Sequence, residues 1–420
     1  MKNRKSALSI VARKDKPGSR IIVLTGARQT GKTTLARHLF PEYQFLSIED
    51  PVLRNAYASL TAPQWKELYP KAILDEVQKE PRLIESIKSV YDQWEEPRYV
   101  LSGSSQLLLL EKVKESLAGR CTIIDLYPLT IPELETESWD DTIADSPFQI
   151  MLAHPCDIAL QLETMLPDFR LDANYAKKMK AWNHYVLFGG YPALTSPQLN
   201  DEDRFEWLKQ YVRTYLERDI RDLAMFRDLE PFVKLQRYIA LQTATILNYS
   251  AVGHNIGITT KTVQRYIQYL ELSYQVLILP SWSRTEGKRL VKSPKIHFFD
   301  YGVLQAVVQK RGSPTALEFE SMVIAELYKQ AKTILSDARF WYLRTFDGKE
   351  VDLLVELSQG YLAFEIKTSE KVSIADARHL RDLSDVLDKP LLHSFVLSND
   401  TATKNLAPDI TAIHPAYMLG

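Results

Sequence analysis

The stretch IIVLTGARQTGKTTLARHLF, residues 21–40, joins an apolar run to a helix-like segment through a loop with two glycines. Its loop, GARQTGKT at 26–33, fits the pattern G-x-x-x-x-G-K-[ST] and lies where that pattern requires, after a strand and before a helix. Glycines there let backbone N–H groups converge on phosphate oxygens at the positive end of the helix. The stretch therefore predicts a phosphate-binding loop in an α/β domain.

Two side chains of this loop have predicted roles in binding ATP. Lys32 would reach the β and γ phosphates, and the Thr33 hydroxyl is placed to hold Mg²⁺. We expect ATP and Mg²⁺ to be the cofactors. The residues predicted to bind the nucleotide are Gly26, Ala27, Arg28, Gln29, Thr30, Gly31, Lys32, Thr33 and Thr34.

The run ILDEVQ, residues 73–78, places Asp75 and Glu76 at the end of an apolar strand. Acidic residues at a strand end are usually only solvated, but together with the phosphate-binding loop they predict a Walker B site. Asp75 would hold Mg²⁺ either directly or through one of the ligands bound to the ion, and Glu76 would orient and polarise the attacking water.

The next strand ends in SGSS, which offers Ser102, Ser104 and Ser105 for contact with the γ-phosphate or the water. We take Ser104 as the catalytic candidate, with a plain polar turn as the alternative. A charge-neutralising arginine for a neighbouring subunit's nucleotide is also expected, the alternative being an ordinary ion-paired arginine. Our first candidate is Arg120 in SLAGR, and the others are Arg218 and Arg221 in YLERDIRD.

Composition bounds the class of protein. The chain has 420 residues, which suggests about three domains, and 52 basic side chains balance 53 acidic ones. The formal charge of -1 means that any nucleic-acid binding needs a local basic patch. The only cysteines, Cys121 and Cys156, make neither a disulfide framework nor a zinc spacing. With no signal peptide or membrane span in the sequence, we expect a cytoplasmic protein.

Changes of pattern along the chain predict four regions. Short apolar strands alternate with helices in the P-loop core, residues 1–135, which is typical of a mostly parallel sheet. Residues 136–230 contain an acidic, proline-punctuated stretch, interpreted as a surface insertion up to about 172, and then a lid-like helical segment with a turn at GGYP. Residues 231–300 give the helix, helix and β-wing order of a winged helix, and residues 301–420 form a separate α/β unit.

The predicted winged helix carries side chains suited to DNA. Its second helix, within TTKTVQRYIQYLEL at 259–272, begins with polar and basic residues, and the wing adds more. The alternative is a protein-binding winged helix with a solvated charged face. The residues predicted to contact nucleic acid are Lys261, Gln264, Arg265, Lys288 and Arg289, with Thr260, Thr262 and Lys292 nearby.

Carboxylates in the last region suggest a second metal site. Glu365 and Lys367 form E-x-K on a strand and project to one face, and Asp352 begins the preceding strand. Asp352 and Glu365 would hold Mg²⁺ with support from Glu320, and Lys367 would position water or stabilise a pentavalent phosphate. The alternative is a solvated salt-bridge ladder, since E-x-K alone is common.

These motifs resemble bacterial and archaeal ATPases of the AAA+ superfamily in which the ATPase is joined to a C-terminal domain of unknown function. GARQTGKTT, ILDEVQ, LSGSSQ, SLAGR, GGYP, YLERDIRDL, EVDLLVE and FEIKTS are similar to that family's text over nearly the whole chain. The resemblance implies an AAA+/ASCE-type parallel sheet, and the C-terminal layout resembles a PD-(D/E)XK nuclease fold. One departure is the sensor, commonly asparagine in the superfamily, where this strand has serines.

Together these features predict a Mg²⁺-dependent AAA+ ATPase that couples ATP hydrolysis to DNA binding or processing. A trans arginine would require a homo-oligomer. The alternative is a nucleotide-gated regulatory switch that acts on a protein partner, with the C-terminal domain a non-catalytic scaffold. A third option is an ATP-independent nuclease.

Overall fold

The computed structural model describes residues 1–13, 19–103, 116–216, 228–285, 287, 289, 292–346 and 348–420. Its strands form three sheets of five, six and three strands, joined by helices. Within the described ranges, none of the helices has the length and apolar character needed to cross a membrane.

The first sheet contains the predicted phosphate-binding loop. Its five strands are all parallel and lie in the order β2-β3-β4-β1-β5, which confirms the predicted P-loop sheet. The strands are β1 (Ile21–Thr25), β2 (Gln44–Ser47), β3 (Lys71–Asp75), β4 (Arg98–Ser102) and β5 (Cys121–Asp125). The helices around them are α1 (Ser6–Val11), α2 (Lys32–Leu39), α3 (Pro51–Ala58), α4 (Ala62–Leu68) and α5 (Arg82–Gln93).

Register brings the polar ends of four strands to one edge of this sheet. Thr25 pairs with Asp125, Asp75 pairs with Ser102, and Leu24 pairs with Ser102 across β1 and β4. Since all five strands run the same way, their carboxyl ends lie together next to the loop that follows β1. The apolar residues of α5 recur at helical spacing and are fully buried against the sheet.

A helical region follows the five-stranded parallel sheet. Its helices are α6 (Ile131–Leu134), α7 (Pro147–Ala153), α8 (Ile158–Glu163), α9 (Tyr175–Phe188) and α10 (Asp201–Gln210), and α10 continues as a π-helix over Tyr211–Leu216. The sequence interpretation of a surface insertion here is wrong. Phe148 and Phe169 are fully buried: Phe148 meets Phe364 edge-on with ring centroids 6.0 Å apart, and Phe169 stacks on Tyr417 at 5.0 Å. The acidic, proline-punctuated sequence did not predict these short helices, which pack on the C-terminal domain.

The three-stranded sheet belongs to a compact module that begins with α11 (Glu230–Leu241). The chain then forms β6 (Thr245–Ile246), α12 (Tyr249–Ile256), α13 (Thr260–Leu272), β7 (Val276–Leu279) and β8 (Lys295–Phe298). The strands are antiparallel in the order β6-β8-β7. Thr259 caps α13 by accepting a hydrogen bond from the Thr262 N–H, as the sequence predicted for Thr259 or Thr260.

The C-terminal domain has a mixed sheet in the order β13-β14-β12-β11-β10-β9. Its strands are β9 (Arg339–Arg344), β10 (Glu350–Glu356), β11 (Tyr361–Ile366), β12 (Leu391–Leu397), β13 (Lys404–Ala407) and β14 (Ile410–Ile413). The helices before and after the sheet are α14 (Tyr301–Val308), α15 (Ala316–Thr333) and α16 (Pro415–Leu419). One large hydrophobic core joins this domain to the three-stranded sheet and the helical region. The 3₁₀ turns are Val77–Lys79, Pro155–Asp157, Phe169–Leu171, Pro192–Thr195, Ile374–Ala377 and Leu383–Asp385.

Candidate nucleotide site and C-terminal charge cluster

Backbone geometry explains both glycines of the phosphate-binding loop. Gly26 has φ 141°, and a Cβ there would lie 2.2 Å from the carbonyl oxygen of Leu126. Gly31 has φ 92°, in the left-handed region, and directly precedes α2. The chain thus turns back on itself so that the backbone N–H groups of the loop and of the first turn of α2 converge, an arrangement suited to phosphate.

Lys32 lies inside the loop rather than in solvent. Its side chain is buried, and its ammonium donates hydrogen bonds to the carbonyl oxygens of Gly26 at 2.9 Å and Ala27 at 2.7 Å. The Thr30 hydroxyl donates to the same Ala27 oxygen at 2.9 Å. The positive charge is therefore held at the centre of the ring of loop backbone groups, which is the position predicted for a phosphate contact.

Asp75 is the meeting point of three elements. The Thr33 hydroxyl at the start of α2 donates to both carboxylate oxygens at 3.0 Å, and the buried Ser102 hydroxyl at the end of β4 donates to Oδ1. Hydroxyl and carboxylate oxygens are ligands that Mg²⁺ prefers. The residues present therefore fit a nucleotide-bound Mg²⁺, as the sequence predicted for Thr33 and Asp75.

Glu76 has a backbone conformation that is uncommon for its residue type. Its φ of 57° and ψ of 39° lie in the left-handed region, which non-glycine residues adopt rarely and often at functional sites. The Gln78 side-chain amide donates a 2.6 Å hydrogen bond to Glu76 Oε2. The backbone conformation of Glu76 thus sets the direction of its side chain, and the hydrogen bond from Gln78 holds its carboxylate in place.

The sequence interpretation missed Asp125 at this edge. It ends β5 beside Thr25, whose hydroxyl donates to it, and it also accepts a 2.6 Å hydrogen bond from the Tyr274 hydroxyl. The sequence could have predicted Asp125, since it is a polar residue at the carboxyl end of a strand, like Asp75. It contains no pattern that predicts Tyr274 at this edge, because Tyr274 follows α13 and lies 149 positions further along the chain.

The helical region also contacts the loop, through two tyrosines. The Tyr211 hydroxyl donates a 3.3 Å hydrogen bond to the Arg28 carbonyl oxygen and lies 3.0 Å from the Tyr191 hydroxyl. Tyr191 belongs to GGYP, whose Gly190 accepts a 2.6 Å hydrogen bond from the Leu129 N–H. A Cβ at Gly190 would lie 2.3 Å from the Leu129 oxygen, so this motif serves close packing next to the five-stranded sheet.

The structure separates Arg120 from its own nucleotide loop. Arg120 precedes β5, so it lies at the opposite end of the strand from Asp125, about 16 Å away along the sheet. Its guanidinium pairs with both oxygens of Asp92, at 2.7 and 3.3 Å, on the protein surface. A role toward a neighbouring subunit stays a prediction. Ser104, Ser105, Arg218, Arg221 and Lys288 lie outside the described residues.

The described residues among the predicted nucleic-acid contacts fall into two groups. Lys261, Gln264 and Arg265 are exposed on one side of α13, and their contact with nucleic acid stays a prediction. Arg289 is buried, which makes the prediction for it wrong. Its guanidinium pairs with Asp388 at 2.9 Å and Glu356 at 3.7 Å.

Aromatic rings complete the burial of Arg289. Its guanidinium lies 5.3 Å from the centre of the Trp282 ring and 5.1 Å from that of Trp341. The backbone N–H of Trp282 also donates a 2.7 Å hydrogen bond to the Tyr342 carbonyl oxygen on β9. The described part of the predicted wing that contains Trp282 and Arg289 therefore lies against the edge of the C-terminal sheet, where the arginine stabilises an interface within the chain.

The predicted C-terminal residues do converge, but with an ammonium among them. The Lys295 ammonium, from β8, lies 3.1 Å from Glu320, 2.8 Å from Glu350 and 3.9 Å from Asp352. Asp352 also accepts a 2.8 Å hydrogen bond from the Ile366 N–H. Lys295 was missed by the sequence interpretation because it lies in an otherwise apolar strand of another module.

Burial dominates the electrostatics of this cluster. It raises the pKa of Glu320 to about 8 and that of Glu365 to about 7, with the charge of Asp352 as the next cause in both. Lys367 donates a 2.6 Å hydrogen bond to Glu365. Within the described part of the chain, no group of three or more His, Cys, Asp or Glu residues is placed to hold a metal ion. The trio of Asp352, Glu365 and Glu320 does not form such a group in this structure, and metal binding by these residues stays a prediction.

A five-stranded parallel sheet, a glycine-rich loop around a lysine, and an aspartate bonded to the threonine after that lysine define a P-loop nucleoside triphosphatase. Comparison with known families agrees: an AAA domain model matches residues 18–135. Two domains of unknown function also match, DUF8612 over residues 179–313 and DUF4143 over 318–417. The chain is thus an AAA-type P-loop ATPase with a C-terminal DUF4143 domain, as the sequence predicted.

Relatives extend over most of the chain. Uncharacterized proteins of Mycobacterium bovis and Mycobacterium tuberculosis are each 26% identical over 370 residues, covering 84% of this chain and 72% of theirs. Among solved structures, a Walker-type ATPase of Pyrococcus abyssi is 14% identical with a TM-score of 0.45, covering 73% of this chain and 94% of its own. The ORC1 protein of Aeropyrum pernix in complex with DNA has 14% identity and a TM-score of 0.29, covering 73% and 90%.

Proposed function

We propose that this ATPase requires Mg²⁺ and couples ATP turnover to DNA contacts made by α13. One observation carries the proposal: α13 exposes Lys261, Gln264 and Arg265, and two residues after its end Tyr274 is hydrogen-bonded to Asp125. The same short element thus combines a polar, basic surface with a direct contact to the nucleotide edge of the sheet.

The residues at that edge suit hydrolysis of ATP. Thr33 and Asp75 would hold Mg²⁺, and when bound the ion neutralises charge on the β and γ phosphates. Lys32 contributes a further positive charge at the centre of the loop. Glu76, held by Gln78, is the residue that orients and polarises water.

The DNA-binding part rests on the order of elements in the α11–β8 module. Helix, strand, two helices and two strands give the winged-helix order, with α13 as the recognition helix. On its exposed side, Lys261 and Arg265 suit phosphates and Gln264 suits a base edge. Because Arg289 is buried, we assign the DNA contacts of this module, among the residues that the structure describes, chiefly to α13.

Tyr274 provides the physical link between the two sites. Its hydroxyl lies 3.0 Å from the Thr25 hydroxyl as well as 2.6 Å from Asp125. Thr25 is the residue directly before Gly26, so a change in the loop on nucleotide binding acts on the tyrosine contact. Because Tyr274 follows the end of α13, a change in this contact also moves the helix.

The test is Mg²⁺-dependent ATP hydrolysis with single-stranded, duplex and branched DNA at two salt concentrations. We compare wild type, Lys32→Ala, the double variant Lys261→Ala/Arg265→Ala, and Lys71→Ala as a matched control, since Lys71 is exposed at the start of β3. Wild type and the control should be stimulated by one DNA form, more weakly at high salt. The double variant should keep its basal rate and lose most of the stimulation.

Slow hydrolysis that is indifferent to every DNA would reject the DNA proposal. It would favour the alternative, a nucleotide-gated switch that acts on a protein partner. The burial of Arg289 favours this alternative, because its guanidinium is used for contacts within the chain.

A homo-oligomer is part of the proposal, with Arg120 acting on a neighbour's nucleotide. Arg120 is partly exposed and far from its own loop, which suits a trans role. Mixing tests this: Lys32→Ala retains Arg120 and Arg120→Ala retains the loop, so mixed assemblies should hydrolyse ATP faster than either variant alone. Rates that merely average would reject the trans role.

A further inference from the structure

The C-terminal charge cluster contains four carboxylates and two lysines. Glu350 and Asp352 project to the same face of β10, and Glu320 comes from α15. Glu365 and Lys367 lie at the carboxyl end of β11. The sixth residue, Lys295, belongs to β8 in the three-stranded sheet. The cluster therefore spans two modules that are far apart in sequence.

Lys295 is a buried ammonium with only acidic neighbours in the cluster. The residue is 3% exposed, and its nitrogen lies within 3.9 Å of carboxylate oxygens from Glu320, Glu350 and Asp352. Charged lysines are almost never fully buried unless they are paired, because removing the charge from water is costly. Here the pairing is threefold, so the ammonium occupies the point at which the carboxylates from α15 and β10 converge.

A divalent cation does not fit the same place. Mg²⁺ requires oxygen ligands at about 2.0–2.1 Å in near-octahedral geometry. An ammonium offers no lone pair and repels a second cation at short distance. The fourth carboxylate, Glu365, already accepts a hydrogen bond from Lys367. Its buried Oε2 is a single oxygen, whereas a divalent cation needs several oxygen ligands.

We propose that Lys295 takes the place of a divalent cation in this cluster. In the wild-type chain the cluster then binds no metal, and it fixes the three-stranded sheet to the C-terminal domain instead of cleaving phosphodiesters. The fold that suggests a nuclease centre thus serves as a docking module whose counter-ion comes from its neighbour.

The experiment is calorimetric titration of Mn²⁺ into the nucleotide-free full chain, together with thermal melts with and without Mn²⁺. Wild type and Asp352→Asn should bind the same number of ions, because neither holds one at the cluster. An additional ion in wild type that Asp352→Asn lacks would overturn the proposal. This comparison does not depend on any variant of Lys295.

Lys295→Met provides the positive arm. Removing the ammonium leaves buried carboxylates unpaired, so without metal Tm should fall by on the order of 10 °C. Mn²⁺ should then restore roughly 5 °C or more, and the double variant Lys295→Met/Asp352→Asn should not respond. Lys310→Met, which removes the ammonium of the separate Lys310–Glu318 pair, is the matched control and should show no Mn²⁺ effect. A folded Lys295→Met that ignores Mn²⁺ would also overturn the proposal.

Discussion

The hydroxyl of Tyr274 donates a 2.6 Å hydrogen bond to Oδ1 of Asp125, across 149 positions of sequence. The bond joins the end of α13 to the carboxyl edge of the ATPase sheet, next to the strand that leads into the phosphate-binding loop. Tyr274 has φ 59°, so its backbone is held in the left-handed region where few non-glycine residues occur. The contact is a specific connection between the nucleotide site and the module proposed to bind DNA.

Tyr274→Phe tests that connection. The substitution keeps the ring and removes the hydroxyl, so Asp125 loses a donor and stability should fall by about 1–3 kcal/mol. Basal hydrolysis should persist while stimulation by DNA falls, because the helix no longer senses the loop. The measurement is thermal unfolding together with hydrolysis with and without DNA.

Tyr301→Phe is the control for loss of a tyrosine hydroxyl. Its hydroxyl donates a 3.2 Å hydrogen bond to the Gly312 carbonyl oxygen, away from the ATPase sheet. It should leave the ratio of stimulated to basal rate unchanged. If Tyr274→Phe retains the full wild-type ratio, the coupling role is rejected.

Glu76→Gln and Lys32→Ala separate binding from hydrolysis. Glu76→Gln should bind ATP normally and lose about 10²–10⁴-fold in turnover, since the amide cannot act on water as the carboxylate does. Lys32→Ala should lose most nucleotide affinity, because the charge at the centre of the loop disappears. Gln78→Ala should slow turnover by about tenfold, because it removes one charge-assisted hydrogen bond to Glu76.

The checks are nucleotide affinity and single-turnover rates for the three variants. Asp92→Asn makes a comparison control, since Asp92 pairs with Arg120 at the opposite end of the sheet. Its affinity for ATP should equal that of wild type. Normal turnover by Glu76→Gln would remove the water-orienting role from this residue.

Local sequence pattern was sufficient to bring Lys32, Thr33 and Asp75 to one edge of the sheet, although it missed Asp125. Lys32 and Thr33 follow from one contiguous motif, and Asp75 follows from the rule that polar residues end parallel strands at a common edge. Long-range contacts were beyond such patterns. Lys295 finds its partners 25, 55 and 57 positions away, so nothing in the text KIHFF indicates a buried ammonium.

Arg289 is a second residue whose long-range contacts the local sequence pattern did not predict. In RTEGKRLVK it has the appearance of a solvated basic turn, yet it is enclosed because Trp282 and Trp341 approach it from two modules. The prediction of a surface insertion up to about residue 172 was wrong for a related reason. The segment is rich in acidic residues, but its Phe148 and Phe169 are buried. Charge patterns describe composition, whereas burial depends on partners that are distant in sequence.

Arg289→Ala and Arg265→Ala should therefore have opposite effects. Arg289→Ala removes the buried guanidinium that pairs with Glu356 and Asp388, which keep hydrogen bonds from Lys389 and Tyr361, and it should cost about 1–3 kcal/mol of stability. Its DNA affinity, measured below the melting range, should be close to wild type. Arg265→Ala should melt normally but reduce the magnitude of the slope of log affinity against log salt by about one.

Thermal melts and DNA titrations at several salt concentrations distinguish these outcomes. A normal Tm for Arg289→Ala with a strong loss of DNA affinity would return this residue to the DNA surface. A lowered Tm for Arg265→Ala would mean that its exposed position on α13 supports the fold instead.

His414 gives the chain a defined sensitivity to acid. The ring stacks on Phe169 with centroids 5.4 Å apart, and its Nδ1 accepts a 3.0 Å hydrogen bond from the Ala416 N–H. Burial lowers the pKa of His414 from 6.5 to about 4. Between these values the unfolded chain binds a proton that the folded chain excludes, so stability is complete above pH 6.5 and is lost as pH falls toward 4.

The loss from this histidine should reach roughly 3 kcal/mol at pH 4. His414→Asn retains an acceptor for the N-terminus of α16 but does not titrate, so its unfolding free energy should fall less steeply over that range. Denaturant unfolding at half-unit steps from pH 4 to pH 7 measures the slopes. His254→Asn, at an exposed position on α12, should follow the wild-type profile. Parallel curves for wild type and His414→Asn would show that this ring is not the acid-sensitive contact between the helical region and the C-terminal domain.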